Sequence, residues 1–542
     1  MLASKKGMQN IHHWSKVCKS LGSGLEDSPD IENMRRILSI SYYDLPPHLK
    51  NCMLFLSSYP EDYKIRTKEL IYKWMGEGFI LKEQGISFYE VGEDYINELI
   101  NRSMIQGSDY DHESKAVACR VHDMVLDLIT RLANEDGFLA TIHEQQPGCQ
   151  QERIHRLSIQ TSNEEDVKHL SAGNLCNVRS LIADVCPDDA FHCLRTVSTF
   201  PLLRVLCLSG CWGVCNMCFK EICNLIHLRY LGLRNTFITE IPKEIQKLQL
   251  LQVLDISGTG IHELPSTFGL LRKLLCLRGD TLKRVPPGFG NLKLLQQLDA
   301  SEIYMESPSM LNNSSGLTEL RRVIFRFNNW DDSYVKPFLQ CLSSLVSLKY
   351  LKITGPEVVC DFSCSPCDRQ IILTGPQQLQ EIDMSDITMH TVPKWMSALS
   401  ALTILQICLS TLGEEGPHVL GSIPLLSDLV IYLHRGEELV INSAYPFPSL
   451  RNFRIGYITR VVFAKGAMPR IQTLGLDFGS MESMGQSSDI VVGLENLSSL
   501  VDVTVSLYGL EARPEELKAA KATIQNGVRM NNNKPSLYIH HL

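Results

Sequence analysis

LRYLGLRNTFITEIP, residues 228–242, and LQVLDISGTGIHELP, residues 251–265, are two copies of one pattern. Both carry apolar residues at the first, fourth and sixth positions: Leu228, Leu231 and Leu233, then Leu251, Leu254 and Ile256. Threonine follows (Thr236, Thr259), then isoleucine (Ile238, Ile261) and an apolar–proline pair (Ile241-Pro242, Leu264-Pro265). In L-x-L the two apolar side chains share one face of a short strand, because strand side chains alternate. The leading leucine and the I-x-x-L-P turn close the coil behind that strand. The core begins again at Ile154, Val178, Leu203, Leu274, Leu295, Leu320, Leu348, Leu379, Leu402, Leu426, Leu450, Ile471 and Leu500, at steps of roughly two dozen residues. The steps after Leu320, Leu348 and Ile471 are longer. The copy at Leu274 is degraded, with Gly279 at the third apolar position. No single coil can bury its apolar row alone, so coils must stack and share a core. The predicted fold is α/β: a leucine-rich-repeat solenoid with a concave parallel sheet over residues 154–510, preceded by a small helical domain.

The variable positions of each strand face the concave side. They are Arg229, Tyr230, Gly232 and Arg234 in one coil, and Gln252, Val253, Asp255 and Ser257 in the next. Arg321, Arg322, Ile324 and Arg326 follow, then Lys349, Tyr350 and Lys352, and an acidic group, Gln380, Glu381 and Asp383. Mixed charge and aromatic character is what protein-binding surfaces carry. The candidate partner-binding residues are Arg229, Tyr230, Arg234, Arg321, Arg322, Arg326, Lys349, Tyr350 and Lys352. The tail reads as a helix (EELKAAKATIQNGV) and a strand (SLYIHHL), a polar cap over residues 511–542.

The chain has 542 residues, with 44% hydrophobic and 21% charged. It can bury a large core and is not disordered as a whole. A formal net charge of −8 does not favour non-specific nucleic-acid binding. The sequence has no run of about 18 apolar residues, so no membrane-spanning segment is expected. The N-terminus has no apolar export segment, and the 18 cysteines read as reduced thiols in a cytoplasmic setting.

Residues 37–136 carry different chemistry. Ile37–Tyr43 is a short helical pattern broken at Leu45-Pro46-Pro47, and Leu49–Leu56 is a second apolar run. Thr67 is expected to cap a third helix with Leu70, Ile71 and Trp74 on one face, and Val91–Asn101 forms another. Strands are expected near Ser103–Gly107 and Ala116–Val121, joined by the loop DYDHESK, and Asp123–Asn134 reads as an amphipathic helix. Helices plus a β-ribbon make a winged helix. As a DNA reader it would need a basic third helix. That helix carries Lys68 and Lys73 but also Glu69 and Glu77, so no nucleic-acid partner is expected.

Residues 37–80, ILSISYYDLPPHLKNCMLFLSSYPEDYKIRTKELIYKWMGEGFI, resemble the winged-helix segment of plant nucleotide-binding leucine-rich-repeat disease-resistance proteins. They are similar to the coiled-coil class of monocots. Val121-His122-Asp123 resembles the M-H-D motif of that family, and the repeats, with threonine or cysteine at the ninth position, are also of its kind. The resemblance implies a receptor that rests with ADP between a nucleotide-binding core and the winged helix. It also implies that His122, beside Asp123, senses the β-phosphate. The helix N-terminus at that point favours an anion, although a plain N-cap role for Asp123 explains the same residues. The repeats would recognise a pathogen effector or a guarded host protein in a defence response. The alternative is a stand-alone protein-binding scaffold or decoy.

Two departures stand out. Val121 replaces methionine, and no G-x-x-x-x-G-K-[ST] occurs. The backbone cradle for phosphates is thus missing, so ADP or ATP is expected only where a nucleotide-binding domain is supplied in cis or in trans. Residues 1–36 read as a remnant of the preceding helical subdomain, residues 137–153 as a linker, and the whole as an N-terminally truncated receptor. No catalytic motif is present. Cysteines cluster at Cys207, Cys211, Cys215, Cys218 and Cys223, and at Cys360, Cys364 and Cys367. No histidine completes a local zinc site, so no metal is expected. An extracellular leucine-rich-repeat receptor would need an export signal and paired capping cysteines, and the sequence shows neither.

Overall fold

The computed structural model describes residues 29–110, 115–142, 154–160, 176–183, 200–300, 302–355, 359–360, 362, 376–442, 447–478, 490–507 and 514–541. The expectations for residues 1–28, for most of the DYDHESK loop, for residues 143–153 of the linker, for Cys364 and Cys367, and for the start of the cap lie outside them. The described chain forms two compact units, one ending at Leu206 and the other running on from Cys207.

In the first unit, α1 (Pro29–Tyr43) ends before the Pro46-Pro47 pair, which starts α2 (Pro47–Phe55). Proline is tolerated there because the first amides of a helix have no intrahelical acceptor. Strand β1 (Ile65–Arg66) leads into α3 (Thr67–Glu77), closed by Gly78 at φ 80°. Thr67 does not cap α3. The N-cap is Arg66, and the Thr67 hydroxyl donates instead to the Ala116 carbonyl at 2.8 Å. It pins α3 to the ribbon that follows.

Helix α4 (Phe88–Asn101) starts earlier than its apolar pattern, because Ser87 and Glu90 form a capping box. The Met104 N–H donates back to the Leu99 carbonyl at 3.0 Å, and Ser103 takes φ 57°. That helix ending displaces the expected strand, so β2 (Gln106–Tyr110) begins only at Gln106. It pairs antiparallel with β3 (Ala116–Arg120), which also pairs with β1. Helix α5 (Asp123–Glu135) buries Met124, Val125, Leu128, Ile129 and Leu132. The parallel sheet begins inside the expected linker: β4 (Ala140–Ile142) pairs with β5 (Arg156–Ile159), and β5 with β6 (Ser180–Ile182).

The second unit is the stack of coils. Its parallel strands align one residue per coil, Tyr230 with Val253, Val253 with Cys276, Cys276 with Gln297, and Gln297 with Arg322. The register continues through Tyr350, Glu381 and Ile404. Leu231, Leu254 and Leu277 stand behind that row at 0% exposure. Full burial of each such side chain stabilises by about 1.5–3 kcal/mol. The motif threonines work inside the turn: Thr236 Oγ1 donates to the Leu233 carbonyl at 2.7 Å, and Thr259 Oγ1 to the Ile256 carbonyl at 2.6 Å. Pro242 and Pro265 start short 3₁₀ turns, accepting from the N–H of Ile245 and Phe268 at 3.0 and 2.9 Å.

The long step after Leu320 is filled by the helix Asp332–Ser344 and an aromatic cluster of Phe327, Trp330, Tyr334, Phe338 and Phe362, with the Trp330 and Phe362 rings 4.3 Å apart. At the far end the helix Pro514–Met530 lies against the preceding coil. The Asn531 amide donates to the Leu494 and Leu497 carbonyls at 2.7 and 3.0 Å. The final strand, Ser536–His541, pairs in parallel with Asp502–Leu507.

In three successive coils the turn after the strand takes a left-handed residue: Gly210 at φ 74°, Asn235 at φ 53° and Gly258 at φ 68°. A Cβ on Gly258 would also lie 2.1 Å from Asn235 Oδ1. We expect Gly258→Ala to lower stability by about 1–2 kcal/mol, read as a lower urea midpoint. An unchanged midpoint would show that this turn does not limit stability.

Candidate functional site

His122 is exposed and caps α5. Its φ of −71° and ψ of 140° are those of an N-cap, and its Nδ1 accepts from the Met124 N–H at 3.3 Å. The cap is therefore His122, not Asp123. The N–H groups of Val125 and Leu126 donate to the His122 carbonyl at 2.8 and 2.9 Å. Most of the amides expected to greet an anion are already satisfied within the helix. What the site offers is the ring: with Nδ1 accepting, the neutral imidazole carries its proton on Nε2. Asp123 is exposed in the first turn, where its charge suits the helix dipole. Behind it, Asp127 pairs with Arg35 of α1 at 3.1 Å.

The third helix of the module is turned inward. Lys73 is 3% exposed, donates to Tyr59 Oη at 3.2 Å and has its ammonium 5.0 Å from the Tyr59 ring centroid. A lysine so placed cannot reach a phosphate backbone. Tyr59 itself is buried and stacked on Tyr63, so it anchors the turn that follows it to the core.

A junction that the sequence reading missed ties this module to the first coil. Arg156, at the start of β5, pairs with Glu77 at the end of α3 at 2.8 Å. The Arg156 guanidinium lies 4.2 Å from the Phe138 ring centroid and 5.3 Å from that of Phe79. The Ser58 carbonyl accepts from Ser158 Oγ at 3.0 Å and from Gln160 Nε2 at 2.7 Å.

The inner sheet face differs from the expected free surface. Tyr230 is 2% exposed, and Val253 and Cys276 in its row are buried as well. Arg229, Arg234, Arg321 and Lys349 are half-buried. Arg326 pairs with Glu302 at 2.8 Å, and Lys352 with Asp383 at 2.8 Å and Asp386 at 3.3 Å. Arg322 is exposed but stacked on Tyr350, its guanidinium 3.7 Å from the ring centroid. Of the nine candidates, Tyr230 is removed from the free surface, and Arg326 and Lys352 are held by acidic partners. A further column escaped notice: Arg278 pairs with Asp255 at 2.6 Å and Asp299 at 3.4 Å. Aligning the coils would have shown Asp255, Arg278 and Asp299 at one repeat position. Exposure grows toward the later coils, at Asn452, Thr473, Ser536 and Tyr538.

Burial pushes the Asp383 carboxyl up. The Lys352 ammonium and the Ser385 hydroxyl and N–H outweigh this and hold it below the ordinary range. Among the described residues, no group of three or more metal-ligating side chains is placed to hold a metal ion, and no helix is long and apolar enough to cross a membrane.

A helical module closed by a β-ribbon, followed by parallel leucine-rich coils, defines a leucine-rich-repeat protein with a winged-helix domain. The family described as "Leucine-rich repeat region" matches residues 177–537, and "Disease resistance protein Winged helix domain" matches residues 59–129. The rice disease resistance protein Pik-2 (Oryza sativa subsp. japonica) is 26% identical over 97% of this chain and 55% of its own length. Rice RGA5 is 26% identical over 91% of this chain and 45% of its own, and the Arabidopsis thaliana RPP13-like protein 4 is 27% identical over 75% and 49%. A leucine-rich-repeat protein of Leptospira interrogans superposes with a TM-score of 0.47 at 17% identity, over 73% of this chain and 99% of that one. The chain belongs to the leucine-rich-repeat disease-resistance proteins of plants. It spans about half the length of the curated relatives it matches.

Two outcomes follow for this site. Arg156→Ala strands the Glu77 carboxylate, whose side chain is 4% exposed, away from its cation. Denaturant titration should show a loss of about 3 kcal/mol. Asp383 has a depressed folded pKa, so its contribution is present at neutral pH and disappears as pH falls through that value. Asp383→Asn should therefore lower the urea midpoint at neutral pH and converge with the parent once the pH has fallen below the depressed folded pKa. A difference that persists in acid would assign the loss to packing.

Proposed function

We propose that this chain is the switching and sensing portion of a plant immune receptor. The winged helix carries the residue that reads a bound nucleotide, and the repeats recognise a protein, either a pathogen effector or a guarded host protein. Cytoplasmic recognition without catalysis is part of this reading. The observation that carries it is His122. It is an exposed imidazole, fixed by the Met124 N–H so that its neutral form presents Nε2–H outward from the α5 N-terminus. Such a donor suits a phosphate oxygen. The proposed nucleotide is ADP, held mainly by a nucleotide-binding domain outside this sequence.

The protein-recognition surface is assigned to the exposed inner-face residues Arg322, Asn452, Thr473 and Tyr538. In the coils from Leu228 to Leu274 the aligned inner row, Tyr230, Val253 and Cys276, is buried.

The test uses a receptor that joins this chain to a complete nucleotide-binding domain. His122→Ala should lower its ADP affinity about tenfold, the worth of one charge-assisted hydrogen bond, with the unfolding midpoint reduced only by the lost cap, about 1 kcal/mol. Unchanged ADP affinity would remove His122 from the pocket. Tyr538→Ala should weaken binding of whichever effector elicits leaf cell death by about tenfold, without a stability change. If binding survives both Tyr538→Ala and Arg322→Glu, the inner face of the later coils is not the recognition surface.

A further inference from the structure

Cys215 and Cys218 are brought together outside the core of the stack. Cys52, Cys119, Cys207, Cys211, Cys223, Cys276, Cys341 and Cys360 are buried. Burial pushes the Cys119, Cys223 and Cys341 thiols up to about 12, which makes them inert. Cys215 is exposed and Cys218 half-buried, and their sulfurs lie 3.6 Å apart. The spacing produces this. Cys215 is the extended residue before the helix α6 (Asn216–Ile222), at φ −122° and ψ 179°, and Cys218 lies one turn along. Residues three apart share a helix face.

We propose that Cys215 and Cys218 form a reversible dithiol–disulfide site, with Cys215 the attacking and Cys218 the resolving thiol, oxidised by low-molecular-weight disulfides of the glutathione class. The Cys215 thiolate attacks one sulfur of the small disulfide. That S–S bond breaks, and the first small thiol leaves with the electron pair and takes a proton from water. Cys218 then gives its proton to water and attacks the Cys215 sulfur, releasing the second small thiol. Two protein thiols are oxidised and one small disulfide is reduced to two thiols; excess small thiol reverses both steps.

The environments fit this order. The Cys218 backbone N–H facing the sulfur holds the Cys215 thiol below the ordinary range, against partial burial. Burial, then the neighbouring Cys215 and Glu221, leave Cys218 above it. The two groups thus differ as attacking and resolving thiols must. The ring that closes encloses Asn216, whose Oδ1 accepts from the Thr239 N–H at 3.0 Å and whose amide donates to Thr239 Oγ1 at 2.9 Å. The site therefore lies on a clamp between one coil and the next.

The experiment exposes the reduced full chain to glutathione disulfide, quenches with acid, alkylates and maps the cysteine peptides by mass spectrometry. The expected product is a Cys215–Cys218 bridge with no glutathione retained, reopened by excess glutathione. Cys218→Ser should trap glutathione on Cys215. Cys215→Ser should abolish the bridge and slow reaction at Cys218 about tenfold or more. Glutathione retained on Cys215 of the unaltered chain, reaction at Cys218 first, or labelling no faster than at the exposed Cys176 would each overturn the proposal.

Discussion

A coil of the Leu228 kind ends with its leucines facing nothing of its own. Leu228, Leu231 and Leu233 reach 0% exposure only because the coils on either side supply the opposing wall. The rest of the repeat is what that sharing demands. Strands must stack in register, one residue per coil, so successive regular coils turn alike. Gly210, Asn235 and Gly258 supply a left-handed residue at the matching point of three of them. Thr236 and Thr259 satisfy the carbonyls that the turn would leave bare. The prolines end the return path with a residue that asks for no acceptor.

The same stacking decides the electrostatics of the inner face. Side chains at one repeat position line up about 4.8 Å apart across parallel strands, so a single choice of charge would build a column of like charges. The chain alternates instead, with Arg278 between Asp255 and Asp299, and Lys352 beside Asp383. Paired in this way, the residues stiffen the sheet and have little charge left for a partner. The pattern runs on into the later coils, where Arg454 pairs with Asp477 at 2.9 Å and Arg460 with Glu438.

The period of the repeats was legible because a buried row leaves an apolar mark at each recurrence. The helices of the first module were legible for the same reason, and the His122 motif by its resemblance. What escaped was long-range or one-of-a-kind. Arg156 and Glu77 are 79 residues apart, and neither carries a local pattern. Tyr230 read as a contact residue, since nothing in one coil tells whether its inner face is covered. His122 rather than Asp123 caps α5 because an imidazole nitrogen can do what a carboxylate oxygen does, although cap statistics favour the acid. The aromatic cluster around Trp330 filled what looked in sequence like an irregular spacing. The strand Ala140–Ile142 read as linker, as three residues hold too little pattern to declare themselves.

The junction at Arg156 bears on where any switch can bend. Glu77 has its side chain almost wholly out of water. A buried carboxylate without its cation is far costlier than the pair is favourable. The Ser58 carbonyl likewise takes both of its donors, Ser158 and Gln160, from the first coil. Pulling α3 away from β5 would strand a charge and a carbonyl at once, and would uncover the Phe79 and Phe138 rings against which the guanidinium lies. A hinge needs a place where few such groups must be re-solvated. The contact of α3 with β5 is not that place, because opening it would bare the Glu77 carboxylate and the Ser58 carbonyl together.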